Sequence, residues 1–159
     1  MKIRLAQKND LPKVLELNEA ALPHVSKVKL TDMDRFLKQA DPFLIVESED
    51  GDIAGFMIVL KPGLDYSSLN YAFFNNNYDN FDYVDRIVIA DIYRGKNYGT
   101  SLYKHLFANS DKKYVTCEVN LKPPNPVSLA FHNNMGFSKV AELVSDNGTK
   151  SVSMLVKNI

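Results

Sequence analysis

Two groups of residues in this chain have the types and spacing to do chemistry. The first is Arg94-Gly95-Lys96-Asn97-Tyr98-Gly99-Thr100, a basic, glycine-containing stretch. It follows the β-branched run Ile87-Val88-Ile89 and opens into an apolar-periodic helix. Backbone N–H groups at a helix start suit a phosphate. The second group is a pair of carboxylates, Asp85 and Glu118, each on a segment that reads as a strand. A carboxylate held at a fixed place can take a proton from a nucleophile.

The spacing excludes two common phosphate motifs. A P-loop needs G-x-x-x-x-G-K-[ST], but Gly95 and Gly99 are too close and no Lys follows Gly99. A dinucleotide fingerprint needs G-x-G-x-x-G after the first strand, and the chain has none. What remains is Arg94-x-x-Asn97-x-Gly99-Thr100 after a strand. The bland alternative is an ordinary strand-to-helix turn with a solvated Arg and Lys. Three His and one Cys, none closely spaced, make no metal pattern. Cys117 shares a strand face with Val115 and Val119, which marks it as core.

These residues need elements to hold them. Lys2–Ala6 reads as a first strand. Asp10 can cap a helix with Pro12 in its first turn and Leu11, Val14, Leu15 and Leu22 on one face. Asn18 falls on that same face, a polar group among apolar ones. Thr31, with Asp34 three residues on, is the expected cap of a second helix with the stripe Met33, Phe36, Leu37, Ala40. Phe43–Glu47 and Ile53–Leu60 form a hairpin around Glu49-Asp50-Gly51-Asp52. Residues 62–80 read as a long loop rich in Asn and aromatics, either a lid or pocket wall or a segment whose aromatics pack on the core or a dimer partner. Phe81–Ile89 is a strand and Tyr98–Asn109 a helix with Leu102, Tyr103, Leu106 and Phe107 inward. Lys113–Asn120 is a strand with Thr116, Glu118 and Asn120 on its polar face. Asn125 caps a helix that Pro126 begins and Gly136 ends. Phe137–Leu143 and Ser151–Val156 close a last hairpin across Asp146-Asn147-Gly148.

The order β-α-α-β-β-β-α-β-α-β-β combines hairpins with crossover helices. It predicts an α/β (α+β) chain with a mixed, mostly antiparallel central sheet flanked by helices. With no internal repeat and no long linker, residues 1–159 read as one domain. Hydrophobic residues at 45% and charged residues at 24% are ordinary for a globular protein. Nineteen basic residues balance nineteen acidic ones, which argues against a general nucleic-acid or membrane surface. No apolar run approaches about 18 residues, and no signal-peptide pattern opens the chain. A lone cysteine makes a reducing, cytoplasmic setting the expectation.

With these elements placed, the chain resembles the GNAT superfamily of acyl-CoA-dependent N-acetyltransferases. That family carries a strand, then [Q/R]-x-x-G-x-[G/A], then a helix. Arg94, Gly95, Lys96, Tyr98, Gly99 and Thr100 fit, while Asn97 stands where the family usually has Gly. Asn enters left-handed backbone conformations more readily than most residues. A second block, Glu118-Val119-Asn120 followed by Asn125 to Phe137, resembles the family's E-V-x … N-x-x-[SA]-x-x-[FL]-Y-x-x-x-G-F. The resemblance covers residues 80–140 by motif and the N-terminal half by element order. The run from Cys117 to Pro126 also looks like one uncharacterised branch of the superfamily.

The resemblance implies acetyl-CoA as co-substrate, with no metal. Its pyrophosphate would sit on residues 94–100 and its pantetheine arm along Ile87, Val88 and Ile89, with contacts from Asn125 and Ser128. Glu118 matches the general base of ribosomal-protein N-terminal acetyltransferases, with Asp85 as the alternative base. His132 replaces the Tyr that often serves as acid, and Tyr83 or Tyr98 could replace it in turn. Each residue has a structural alternative: Glu118 a hydrogen-bonded carboxylate, Asp85 a salt bridge, His132 a packing residue, Asn125 a cap, Asn18 a satisfied amide. The acceptor would lie among Asn18, Glu19 and His24 near the first two helices. Tyr66, Tyr71, Phe73, Phe74 and Tyr78 of residues 62–80 would complete it. The implied reaction is direct acetyl transfer to a primary amine of a small molecule, amino acid or peptide. Alternatives are a protein or peptide N-terminal acetyltransferase and a non-catalytic acyl-CoA sensor. A homodimer edge at Ser151–Val156 is a further implication.

Overall fold

The computed structural model describes residues 1–159. Seven strands hydrogen-bond in the order β1-β2-β3-β4-β5-β7-β6, with helices flanking the sheet. They are β1 (Lys2–Leu5), β2 (Phe43–Glu47), β3 (Ile53–Leu60), β4 (Phe81–Ile89), β5 (Tyr114–Lys122), β6 (Ser138–Ser145) and β7 (Lys150–Asn158). The helices are α1 (Leu11–Ala20), α2 (Leu30–Gln39), α3 (Leu69–Asn77), α4 (Tyr98–Asn109) and α5 (Pro126–Asn134). β1–β2, β2–β3, β5–β7 and β6–β7 pair antiparallel, while β4 and β5 run parallel. This is the mixed, mostly antiparallel sheet the element order predicts. No helix is long and apolar enough to cross a membrane.

The chain packs as two compact units. One is Met1–Leu60 with Arg86–Ser110, the other Lys61–Asp85 with Asp111–Ile159.

In the first unit β2 and β3 are almost wholly buried, as their unbroken apolar runs require. Val14, Met33, Phe36, Leu102, Tyr103 and Leu106 bring the buried faces of α1, α2 and α4 into that core. Burying one such side chain contributes about 1.5–3 kcal/mol. The helix starts differ from expectation. Asp10 makes no side-chain cap on α1; its carboxylate turns back to accept from the Gln7 N–H at 2.7 Å and from Arg4 at 2.7 and 2.8 Å. α2 begins at Leu30, not after Thr31, because Asp32 reaches back to the Lys29 N–H at 2.8 Å. A carboxylate three residues past the cap satisfies one orphan donor whichever residue precedes it.

In the second unit the stretch expected to be loop contains α3. Ser68 Oγ accepts from the Tyr71 N–H, and Tyr71 and Phe74 face inward. Tyr71 meets Tyr83 edge-on with centroids 5.4 Å apart, and Phe74 lies 6.3 Å from Phe81. Aromatic contacts of this geometry add about 0.5–1.5 kcal/mol beyond burial. Asp82 is fully buried and pairs with Lys61 at 2.7 Å. A buried carboxylate without such a partner would cost several kcal/mol. β7 pairs β5 on one side and β6 on the other. The strand at Ser151–Val156 is therefore interior to the sheet, and the expected dimer edge is not an edge. The sequence pattern gave a hairpin there but no means of telling which of its two strands lies outside.

Candidate functional site

The Arg94–Thr100 stretch lies in the first unit and takes the form a phosphate cradle needs. β4 ends at Ile89, a short 3-10 turn covers Asp91–Tyr93, and α4 starts at Tyr98. Gly95 has φ +72° with open space around its Cβ position. Asn97 has φ +67° and ψ 8°, the left-handed conformation, at the N-cap of α4. The loop thus turns twice through left-handed geometry, and asparagine supplies the second turn where the family pattern has glycine. The first bond of the helical ladder runs from the Ser101 N–H to the Asn97 carbonyl at 2.9 Å. The N–H groups of Tyr98, Gly99 and Thr100 lie ahead of that ladder, at the positive end of a twelve-residue helix.

Two exposed cations flank this end. Arg94 Nε donates to the Ile89 carbonyl at 3.2 Å, and its Nη2 lies 3.0 Å from Asp91. Lys96 Nζ sits 5.8 Å from the Tyr93 ring centroid. These residues fit a pyrophosphate: amides for the oxygens, cations for the charge, no side chain over Gly95.

The first unit also holds Asn18 and Glu19. Asn18 is fully buried. Its Oδ1 accepts from Arg86 Nη1 at 2.9 Å and its Nδ2 donates to the Ser26 carbonyl at 3.1 Å. Arg86, itself 5% exposed, donates also to Ser26 Oγ at 3.0 Å and lies 5.1 Å from the Phe36 ring centroid. The polar residue among apolar ones is thus half of a buried clamp between α1 and β4. Glu19 points to solvent.

Both carboxylates belong to the second unit. The parallel ladder pairs Phe81 with Tyr114, Asp82 with Val115 and Tyr83 with Thr116. Asp85 and Glu118 each stand two residues beyond its last pair, on β4 and β5. Each meets a tyrosine hydroxyl. Tyr83 donates to Glu118 Oε1 at 2.9 Å, and Tyr66 donates to Asp85 Oδ1. Tyr66 and Tyr71 pack edge-on with centroids 5.6 Å apart, so the rings of Tyr66, Tyr71 and Tyr83 run in series, the outer two each bonded to one of the acids. Burial pushes the Tyr83 phenol well above its ordinary value, and the negative charges of Glu118 and Asp85 push it further the same way. Tyr83 therefore stays protonated as a donor.

The α5 residues divide. Asn125 Oδ1 accepts from the Ser128 N–H at 3.2 Å, the expected cap. His132 is 3% exposed, with Phe137 edge-on at 5.4 Å. Its Nδ1 lies 2.7 Å from the Ser128 carbonyl, which can only accept, so Nδ1 carries a proton there. Burial lowers the His132 pKa, against a smaller opposing pull from that carbonyl. Among the aromatic candidates, Tyr71 and Phe74 are core. The Tyr71 hydroxyl donates to the Lys61 carbonyl at 2.6 Å and accepts from the Leu64 N–H at 2.9 Å. Tyr78 is half-buried and packs on Tyr114 at 5.3 Å.

A mixed, mostly antiparallel sheet flanked by helices, whose fourth strand feeds a left-handed turn and a helix N-terminus, is a GNAT-like α/β fold. The chain belongs to the acetyltransferase (GNAT) family, whose model matches residues 11–137. Solved structures share the fold. The ribosomal-protein-alanine N-acetyltransferase of Brucella melitensis superposes with a TM-score of 0.77 at 19% identity, covering 100% of both chains. Naa20 of Chaetomium thermophilum, solved with a bisubstrate analogue, gives 0.77 at 20% identity over 100% of this chain and 87% of its own. yncA of Salmonella typhimurium, solved with its cofactor acetyl-CoA, gives 0.73 at 17% identity over 99% of this chain and 93% of its own. No curated protein matches the sequence.

Proposed function

We propose that this chain transfers an acetyl group from acetyl-CoA to a primary amine by direct attack. The observation that carries the reading is the Arg94–Thr100 loop, with Gly95 and Asn97 both left-handed ahead of the α4 amides. Acetyl-CoA supplies an activated thioester. Arg94, Lys96 and the amides of residues 98–100 hold its pyrophosphate, and the backbone of Ile87, Val88 and Ile89 holds its pantetheine arm. Asn125 and Ser128 add contacts from α5.

The attacking nitrogen must lose a proton as the C–N bond forms and the C–S bond breaks, and coenzyme A leaves as its thiolate, which takes a proton from solvent. Glu118 takes that proton, and the Tyr83 hydroxyl at 2.9 Å holds its carboxylate in place. Asp85, held by Tyr66, is the alternative base. A strand N–H of Ile87–Ile89 steadies the developing oxyanion. We assign His132 to packing, since a buried imidazole of lowered pKa is a poor proton donor at neutral pH. We likewise assign Asn18 to the Arg86 clamp, and Tyr71 and Phe74 to the wall behind Tyr66 and Tyr83.

A second reading, acetylation of a peptide or protein N-terminus, draws support from the Glu118-Val119 pair and from the named activity of the Brucella neighbour. One experiment tests both. Acetyl-CoA binding is measured by calorimetry, then thiol release is followed across alkylamines, free amino acids and short peptides. Binding with release by small amines supports the first reading, and release by peptides alone supports the second. Binding with no release across the panel would leave a sensor, and no binding would overturn the acyl-CoA assignment.

A further inference from the structure

β3 reads Ile53-Ala54-Gly55-Phe56-Met57-Ile58-Val59-Leu60, one glycine in a run of larger apolar residues. Glycine inside a strand weakens it by about 0.5–1 kcal/mol relative to alanine and packs nothing against its neighbours. Gly55 does not have the positive φ of Gly51, Gly63 or Gly95, and it lies at no turn. It pairs with Val46 of β2 beside an irregularity of that ladder, where the register shifts and Glu47 pairs with Ile53. What a side chain would strike first is not on the β2 side.

The reason is on the other side. A Cβ at Gly55 would lie 2.5 Å from the Val88 carbonyl oxygen, 2.5 Å from Ile89 Cδ1 and 3.2 Å from Ile89 Cα. A side-chain tip such as Ile89 Cδ1 can swing aside. The Val88 carbonyl cannot move without its strand. In a regular ladder a carbonyl faces an N–H, whereas this one faces the place a Cβ would occupy. β4 therefore leans onto β3 here, and the neighbouring bond from the Ala90 N–H to the Ala54 carbonyl, at 2.9 Å, secures the approach. A glycine where another backbone comes this close is what strand chemistry demands.

We infer that Gly55 is a positioning residue for the acyl-CoA arm: its missing side chain sets where the Val88–Ile89 backbone lies. The inference rests on the assignment of Ile87–Ile89 to the pantetheine arm made above. Gly55 touches no ligand itself. A side chain there displaces the strand that does, and leaves the Arg94–Thr100 loop, beyond the Asp91–Tyr93 turn, able to hold a pyrophosphate.

The test is calorimetry with two ligands on the intact chain, acetyl-CoA and 3′-phospho-ADP, which keeps the pyrophosphate but lacks the arm. For Gly55→Ala we expect acetyl-CoA affinity to fall by about tenfold or more, a loss of about 1.4 kcal/mol. Affinity for 3′-phospho-ADP should stay within about twofold, about 0.4 kcal/mol. A merely structural glycine would lower the melting temperature without separating the two ligands. Val156→Ala, a core truncation in the other unit, serves as that control and should leave both affinities unchanged. Equal affinities of Gly55→Ala and the parent for acetyl-CoA would overturn the inference. So would an equal loss for both ligands. Failure of the parent itself to bind acetyl-CoA would instead sink the underlying assignment.

If Gly55→Ala does not fold, the double variant Gly55→Ala/Ile89→Ala decides, compared with Ile89→Ala alone. It removes the side-chain clash and keeps the carbonyl one, so the acetyl-CoA deficit should persist. Full recovery, or no folded double variant beside a folded Ile89→Ala with normal affinity, would show a glycine needed only for packing and overturn the inference.

Discussion

Glu118 and Asp85 show what a residue-level reading can and cannot extract. Alternation along residues 113–120 puts Glu118 on the polar face with Thr116 and Asn120, and the structure places it two residues past the β4–β5 ladder beside Tyr83. The tyrosine partners were not legible, because each phenol reaches its carboxylate across elements far apart in sequence. If Glu118 is the base, Glu118→Gln should lower the rate most at low pH, where the acceptor amine is protonated and a base is needed. The deficit should shrink as pH rises and free amine becomes abundant. A wild-type pH–rate profile in the variant would remove Glu118 from the chemistry. His132 yields a stability prediction. Its folded pKa lies below its unfolded value of about 6.5, so the unfolded chain binds the proton more readily. Its stabilisation is complete above pH about 6.5 and declines as pH falls toward the folded pKa. Thermal melts from pH 8 to 5 should show a smaller acid loss for His132→Gln than for the parent, even though the variant melts lower at pH 8. Parallel curves would contradict a buried neutral imidazole.

At the scale of elements, strands and helices with strong periodicity were legible to the residue: β2, β3, β4 and α4 span the ranges their patterns predict. α3 was not. Leu69–Asn77 reads Leu-Asn-Tyr-Ala-Phe-Phe-Asn-Asn-Asn; apart from Leu69 and Ala72 these are weak helix formers, a bias that packing of Tyr71 and Phe74 overrides. The available signal was Ser68, a helix cap three residues before Tyr71, with Phe74 a further turn along. Gly55 was legible as an oddity in an apolar strand, but its reason lies on another strand. The loop before α4 makes its own prediction. Asn97 holds a left-handed conformation that costs most other residues about 1–2 kcal/mol. Asn97→Ala should therefore destabilise the chain by about 1 kcal/mol and weaken acetyl-CoA binding. Asn97→Gly, the residue the family pattern favours, should keep both. Urea unfolding and calorimetry read the two effects, and an alanine variant equal to the glycine variant in both would show that the turn does not depend on this backbone angle.

For the whole molecule, what matters is how a ligand held by a short stretch of chain is felt by global stability. Residues 94–97 of the loop are exposed and contribute little to the core, whereas the strand and helix they join are buried through Val88, Tyr98, Leu102, Tyr103 and Leu106. A ligand that binds only the folded loop must therefore stabilise the elements that present it. At a concentration one hundred times its dissociation constant, a ligand of the native state adds about 2.7 kcal/mol. For a chain of this size each kcal/mol raises the melting temperature by about 2–4 °C, so acetyl-CoA should raise it by about 5–10 °C. Arg94→Ala should reduce that rise at fixed ligand concentration while shifting the unliganded melt by less than about 4 °C, since its ion pair with Asp91 is exposed and contributes little. A large drop in the unliganded melt would assign Arg94 to structure, and an undiminished rise would place the pyrophosphate elsewhere.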